Sequence, residues 1–292
     1  MRVLLLFIDG LGIGDRDFEN NPLARFQSRY LGIFKDAPHP PLPHAGRVVS
    51  TRVDMEVPGL PQSATGQTAL FTGQNAAAAA GRHVSALPTV TLRRMLDDTS
   101  LFKRVAALGK KGVFANALSQ QYFERRGERV SASTRALLAG GFPWLTMEDL
   151  RAGRAVSHDL TNQFLRDMGE EAPLRTPAAS AKILVDLSRQ ADFTLFEFFL
   201  TDMAGHSRNL EDAKTVVERL DILLETVLTH TDLQQTVVVL TSDHGNFEDF
   251  SIKTHTKNLV PTCFWGLPEE IALPDMLRIE EIAPRLLALL TR

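Results

Sequence analysis

The stretch "TVVVLTSDHGNFED" occupies residues 236–249. Its first part, Thr236-Val237-Val238-Val239-Leu240, is an unbroken apolar and β-branched run, the pattern of a strand covered on both faces. Then the chemistry changes abruptly: Asp243 stands beside His244, and Gly245 follows as a residue able to permit a turn. A buried strand has no structural need for a carboxylate next to an imidazole where it ends. The same arrangement recurs elsewhere. The run Val3 to Ile8 ends in Asp9, and "DFTLFEFFL" leads into "TDMAGH", which carries Asp202 and His206.

Helical patterns separate these strands. "LFKRVAALGKK" precedes the strand signal "GVFANAL", and "AKILVDLSRQ" precedes "DFTLFEFFL". Residues 210–229 place Val216, Val217, Leu220, Leu223, Leu224 and Val227 on one helical face. A final helix is expected around "IEEIAPRLLALL". Strands alternating with helices predict an α/β fold, a mostly parallel doubly wound sheet with helices on both faces. Ligands in such sheets lie outside the carboxyl ends of the strands, where Asp9, Asp202 and Asp243 fall.

Two segments break the alternation. "KDAPHPPLPHAG" reads as a surface loop entering a strand at "RVVSTRVDMEV". Residues 119–175 are richer in Arg, Ser, Gly and polar side chains and read as a small inserted lid. The division expected is therefore a core of residues 1–118 and 176–292 with the lid between. The 292-residue length suits one such domain. The net charge of −3 argues against a general nucleic-acid surface. A single cysteine, Cys263, cannot form an internal disulfide and reads as a packed core thiol. The N-terminal apolar run meets Asp9 too soon for a signal peptide, and no stretch approaches the length of a membrane span. A cytoplasmic protein without a membrane partner is expected.

The strand-end residues form a set. Asp202 and His206 are spaced to share one face if the chain turns helical there. His255 follows in "KTHTKN". With Asp9, Asp243 and His244 they make three carboxylates and three imidazoles, donors suited to Zn2+ or Mn2+. A lone Asp at a strand end is ordinarily a cap or turn former, so the signal lies in the convergence. A nucleophile is offered by "VPGLPQSATGQTALF": Ser63 falls at a helix N-terminus, where amides favour an anion. An N-capping serine and the nearby hydroxyl of Thr65 are the competing readings. Arg82 and His83 in "AGRHVS", and His158 in the lid, are candidate substrate contacts, although exposed loops and a capping role for Asp159 explain these stretches equally simply.

The motifs "LLLFIDGLG", "GLPQSATGQ", "TDMAGH", "TSDHGNFED" and "THTKNLVP", in this order, resemble the alkaline phosphatase superfamily, most closely its cofactor-independent phosphoglycerate mutase branch. The resemblance implies an alkaline-phosphatase-like fold holding two divalent metal ions, Mn2+ or Zn2+. One ion would be held by Asp202, His206 and His255. The other would be held by Asp9, Asp243, His244 and the Ser63 oxygen, with Ser63 the nucleophile in a phosphoserine route. Two departures shape the expected activity. The large second domain of the mutases is reduced to the 119–175 segment, and Gln67 stands where they carry a histidine. The expectation is a phosphatase acting on a small phosphate monoester, with phosphomutase as the alternative and phosphodiesterase behind it. A nucleotide-binding module based on "DGLGIGD" is the reading from a different class, but its glycine spacing lacks the dinucleotide fingerprint.

Overall fold

The computed structural model describes residues 1–292. Nine strands are present: β1 Arg2–Ile8, β2 Arg47–Arg52, β3 Gly112–Phe114, β4 Ala117–Leu118, β5 Leu145–Thr146, β6 Phe193–Phe198, β7 Thr236–Thr241, β8 Val260–Trp265 and β9 Met276–Arg278. Seven form one sheet in the order β3-β6-β1-β7-β8-β2-β9, and β4 and β5 pair separately. The left half and centre are parallel, from β3 through β6 and β1 to β7. Only β8 runs against its neighbours, antiparallel to both β7 and β2. The protein is thus a mostly parallel α/β fold.

The unbroken apolar runs have a direct physical cause. Val3, Leu5 and Phe7 of β1 point to one face, with Val237, Val239 and Leu195 beside them. Leu4, Leu6 and Ile8 point to the other, with Val238, Leu240 and Phe196. Helices cover both layers, so most positions of the central strands are apolar on both faces and alternation disappears. Truncating Leu5 to Ala would cost about 2–5 kcal/mol by the usual penalty for an enclosed cavity. The Leu210–His230 helix lies on one face with the six predicted apolar residues buried, and Asn209 caps its first amides.

Several elements differ from the sequence reading. "GVFANAL" is not one strand. Asn116 breaks it by bonding the Glu197 backbone through its side chain, Nδ2 to the carbonyl at 2.7 Å and the Glu197 N–H to Oδ1 at 2.9 Å. That side chain continues the pairing to β6 while the main chain diverges to pair β4 with β5. The residues around Cys263 form β8, whose buried thiol is pushed well above its usual range by burial. Val90–Thr99 is a helix that no motif announced.

The 119–175 segment is not one piece. Its helix Ala132–Ala139 buries Ala132, Ala136 and Leu137 in the main core. The remainder closes over a satellite cluster of Met147, Leu150, Ala155 and Ala172. No helix is long and apolar enough to cross a membrane.

Candidate metal centre

Asp9 follows β1 directly, and its N–H continues the β1–β6 ladder by donating to the Phe198 carbonyl at 2.9 Å. The next residue must be glycine. Gly10 has φ 71°, and a Cβ there would lie 2.9 Å from both Cβ and Oδ1 of Asp202. Asp202 and His206 sit on the helix Leu200–Ser207, one turn apart, as their spacing requires. Strand β7 ends at Thr241, and Ser242 ties the turn down: its Oγ accepts from Leu11 N at 2.9 Å and donates to the His244 carbonyl at 3.0 Å. Irregular backbone here lets the adjacent Asp243 and His244 converge. Gly245 has no left-handed φ, so it does not serve the turn in the way expected from its type. Its role is clearance, since a Cβ would lie 2.3 Å from Glu248 Oε1.

Ser63 is the first residue of the helix Ser63–Thr72, and it does not cap that helix: the N-cap is Gln62, with no side-chain bond. The Ser63 hydroxyl instead faces His244 Nε2 at 3.0 Å. The helix reaches the ligand loop without intervening side chains, because a Cβ on Gly66 would meet the Asp243 carbonyl at 2.7 Å. Thr65 is occupied structurally. It donates to the Gln62 carbonyl at 3.1 Å and accepts from Val84 N at 3.3 Å, so it holds the 82–84 loop. His255 does not follow a strand end as Asp9, Asp202 and Asp243 do; it lies in the long β7–β8 connection. Its Nδ1 donates to the Pro61 carbonyl at 2.9 Å, an acceptor only, which leaves the Nε2 lone pair free.

Two groups of donor atoms result. Around Asp202, one oxygen lies 3.4 Å from His206 Nε2 and the other 3.5 Å from His255 Nε2, with the two imidazole nitrogens 3.3 Å apart. Around His244 Nε2, Asp9 Oδ1 lies at 3.3 Å, Asp243 Oδ2 at 3.6 Å and Ser63 Oγ at 3.0 Å. A tetrahedral ion with bonds near 2.0–2.1 Å separates its ligands by about 3.3–3.4 Å. The observed separations, 3.0–3.6 Å, lie around that edge length. Asp9 Oδ1 and Asp243 Oδ2 are buried without a hydrogen-bond partner, a costly condition that a cation would relieve. His244 also lies within reach of Asp202 and His255, its ring stacked on His255 at 3.7 Å, so the groups are contiguous.

The electrostatics point the same way. Burial first, and then the Asp243 charge, push Asp9 up to about 8. Burial likewise raises Asp243, with Asp202 adding to the shift. Burial alone would lower His244, but Asp243 and Asp9 outweigh it and hold the ring up to about 10. Burial and the neighbouring His244 lower His255 to about 4. Carboxylates that resist ionisation beside a ring that resists deprotonation mark a pocket short of positive charge.

A serine-histidine-aspartate triad is excluded by which nitrogen is used. In a triad the serine and the carboxylate address opposite nitrogens of the ring. Here Ser63, Asp9 and Asp243 all converge on Nε2, while Nδ1 has only a 3.4 Å contact with the Gly245 carbonyl. Convergence of three oxygens on one nitrogen is the arrangement donors around a single ion would take.

The candidate substrate residues sit apart from this cluster. Arg82 is exposed, and His83 hydrogen bonds the Val57 carbonyl at 3.1 Å. Their loop does adjoin the Ser63 turn through Thr65 and Val84. His158 is buried, stacked on Phe199 with ring centroids 3.8 Å apart; burial lowers it to about 4, so it is neutral. Asp159 accepts from the N–H groups of Asn162 and Phe164, and so serves the start of the Gln163–Asp167 helix. Sequence reasoning passed over Glu197. It hydrogen bonds Ser133 at 2.5 Å and is raised to about 7, by burial first and also by the Asp9 charge. Its signal was available: it is the only charged residue inside an otherwise apolar strand.

Residues 172–290 match the metalloenzyme superfamily. The 2,3-bisphosphoglycerate-independent phosphoglycerate mutase 1 of Methanocaldococcus jannaschii is 31% identical over 103 residues, covering 35% of this chain and 24% of the relative. The corresponding mutase of Methylobacillus flagellatus is 32% identical over 111 residues, covering 36% and 22%. The chain thus matches about a quarter of the length of these curated relatives. Among solved structures, the PH0037 protein of Pyrococcus horikoshii superposes with TM-score 0.60 at 15% identity, over 99% of this chain and 97% of that one. The alkaline phosphatase of the Antarctic bacterium TAB5 superposes with TM-score 0.54 at 15% identity, over 99% and 98%. At that identity the structural likeness concerns the fold.

Proposed function

We propose that this chain, whose residues 172–290 match the metalloenzyme superfamily, is a metal-dependent phosphoryl-transfer enzyme, a phosphatase that hydrolyses a small phosphate monoester through a phosphoserine on Ser63. The observation that carries the reading is the convergence of Ser63 Oγ, Asp9 Oδ1 and Asp243 Oδ2 on His244 Nε2, beside the Asp202–His206–His255 group.

Asp202, His206 and His255 would hold one divalent ion, and Asp9, Asp243, His244 and Ser63 a second, with Mn2+ or Zn2+ suited to both donor sets. Bound ions supply positive charge that favours the Ser63 alkoxide and offsets charge developing on the phosphoryl oxygens. The chain's own residues do the rest. Ser63 Oγ attacks phosphorus, the bond from phosphorus to the substrate oxygen breaks, and that oxygen leaves with a proton from solvent. Water then cleaves the Ser63–phosphorus bond and releases phosphate. The Ser63 and Ala64 amides at the open start of their helix take no hydrogen-bond partner and would bind phosphoryl oxygens. Gln67 Nε2 lies 3.4 Å from Asp9 Oδ2 and would orient that carboxylate. Arg82 and His83 are assigned to the substrate side, through the loop held against the Ser63 turn; His158, buried against Phe199, is not.

A second reading, phosphomutase, is favoured by the names of the matched relatives. It would have the phosphoserine return its group to a substrate hydroxyl instead of water. The reduced 119–175 segment offers little to retain a dephosphorylated intermediate, which favours hydrolysis. Metal analysis and p-nitrophenyl phosphate turnover, with and without chelator, test the shared chemistry; absence of metal affinity would overturn it. Supplying 3-phosphoglycerate and pentose 1-phosphates and following isomer interconversion against free phosphate separates the two readings. Interconversion without phosphate release would replace the hydrolase by the mutase. Faster turnover of bis-p-nitrophenyl phosphate would indicate a diesterase.

A further inference from the structure

The donor atoms of the centre hang largely on irregular chain. Asp9 opens the loop after β1, Asp243 and His244 open the loop after β7, and His255 lies later in the β7–β8 connection. The β1–β7 ladder ends at Phe7 and Thr241, and beyond it the segments are joined by single backbone bonds, such as those from Phe247 N to the Gly10 carbonyl at 2.9 Å and from Thr256 N to the Gly245 carbonyl at 3.0 Å. One buried side chain touches all of them. Glu248, 2% exposed, accepts through Oε2 from Gly12 N at 2.9 Å and from Asn246 N at 2.8 Å. Through Oε1 it accepts from Thr256 Oγ at 2.5 Å and Asn258 Nδ2 at 3.0 Å. These partners stand three residues after Asp9, two after His244, and one and three after His255.

Two glycines clear the space for this carboxylate. A Cβ on Gly12 would lie 2.2 Å from Glu248 Oε1, and one on Gly245 2.3 Å from the same atom. Neither glycine has a left-handed φ, so clearance alone explains their type. Asn246, fixed through its N–H by Glu248, extends the link to the other half of the centre: its Nδ2 donates to Asp202 Oδ1 at 2.7 Å.

We propose that Glu248 is the positioning residue of the metal centre, its four accepted hydrogen bonds clamping the three ligand-bearing loops together. The proposal rests on the two-ion reading above. Each carboxylate oxygen faces two donors. A glutamine of the same shape would turn an NH2 group against one pair, whichever way its amide lay, and leave buried donors unpaired. Glu248→Gln therefore spreads the loops while the apolar core stays as it is.

The test titrates Mn2+ into chelator-treated wild type, Glu248→Gln, Thr256→Val and Asn258→Ala. Free and bound ion are read by electron paramagnetic resonance, and melting temperature is recorded in EDTA and in Mn2+. Glu248→Gln is expected to weaken Mn2+ binding about 10–100-fold, the range seen when groups behind metal ligands are removed. It should alter the bound-ion spectrum and shrink the rise in melting temperature on adding Mn2+. Thr256→Val and Asn258→Ala, each removing one donor, should shift affinity the same way by a few-fold, and they carry the test if Glu248→Gln does not fold. A purely structural role would lower the melting temperature equally with and without Mn2+ and leave affinity and spectrum at wild-type values; that outcome overturns the proposal. Wild type that binds no Mn2+ would instead overturn the two-ion reading itself.

Discussion

The two halves of the centre differ in how much water reaches them. Asp243 and His244 are wholly enclosed, and Asp9 is 8% exposed. In the other half the His206 side chain is 47% exposed and that of Asp202 19%. The enclosed half contains the unpartnered carboxylate oxygens and the upward shifts in proton affinity, while the open half, where buried His255 alone is shifted and downward, is held by one helical turn and a loop. Burial thus concentrates the electrostatic cost beside Ser63, the proposed nucleophile. An ion there would be gripped tightly and exchange slowly, and one in the open half would exchange readily and meet water or substrate first.

The largest test of this contrast is Ser63→Ala. Turnover of p-nitrophenyl phosphate should fall about 10³-fold or more, with both ions largely retained, because one ligand atom is lost but the only nucleophile goes with it. Near-normal turnover would move the nucleophile elsewhere. Asp243→Asn and His206→Ala come next, as a pair. The first should lose about 100-fold in activity and resist rescue by excess metal. The second should weaken binding about 10–100-fold and recover with excess metal. Equal rescue of both variants in a metal titration would erase the distinction between the halves.

A smaller effect is expected from pH. In the chelated protein Asp9 titrates at about 8 rather than 3.8, so the folded state holds its proton more tightly than the unfolded chain does. The stability this provides is complete below about pH 4 and is lost as pH rises toward 8. His244, raised to about 10, contributes in the same direction, its share lost as pH climbs from 6.5. The melting temperature in EDTA should therefore fall across pH 5–9, and saturating Mn2+ should flatten the slope. An unchanged slope would place no ion in the enclosed half. The smallest effect belongs to Asp249, whose Oδ1 accepts only from Ser251 N and Oγ in an exposed loop. Asp249→Ala should change stability by about 0.5 kcal/mol or less and leave turnover unaltered. A large loss of turnover would extend the centre beyond Glu248.

Much of the fold was legible because double burial writes itself as long apolar runs: β1 and β7 appear that way, and β6 is interrupted only by Thr194 and Glu197. Strand β8 was not, since "VPTCFW" carries a proline at its second position and lies after a long irregular loop. The 119–175 segment misled for a related reason. Its polar composition describes most of its surface, yet Ala132, Ala136 and Leu137 belong to the main core, and small apolar residues at helical spacing are a weak signal among arginines and serines.

The strand-end Asp and His residues were readable one by one, as donors placed where an α/β sheet binds ligands. Adjacency of Asp243 and His244, the one-turn spacing of Asp202 and His206, and the position of Ser63 at a helix start are all local facts, so sequence determines them. Their partnership is not local. Only the folded chain brings Asp9, Ser63 and Asp243 to the same nitrogen of His244, and that choice of atom separates a metal centre from a triad. The roles of Glu248, Gly12, Gly245 and Asn246 were equally hidden, because each depends on atoms more than 40 residues away or on clearances of a few tenths of an ångström. Sequence fixes which groups are present and which strand end each one follows. Tertiary structure alone decides which atoms meet, since the distances that define a ligand sphere are set by packing between segments remote in the chain.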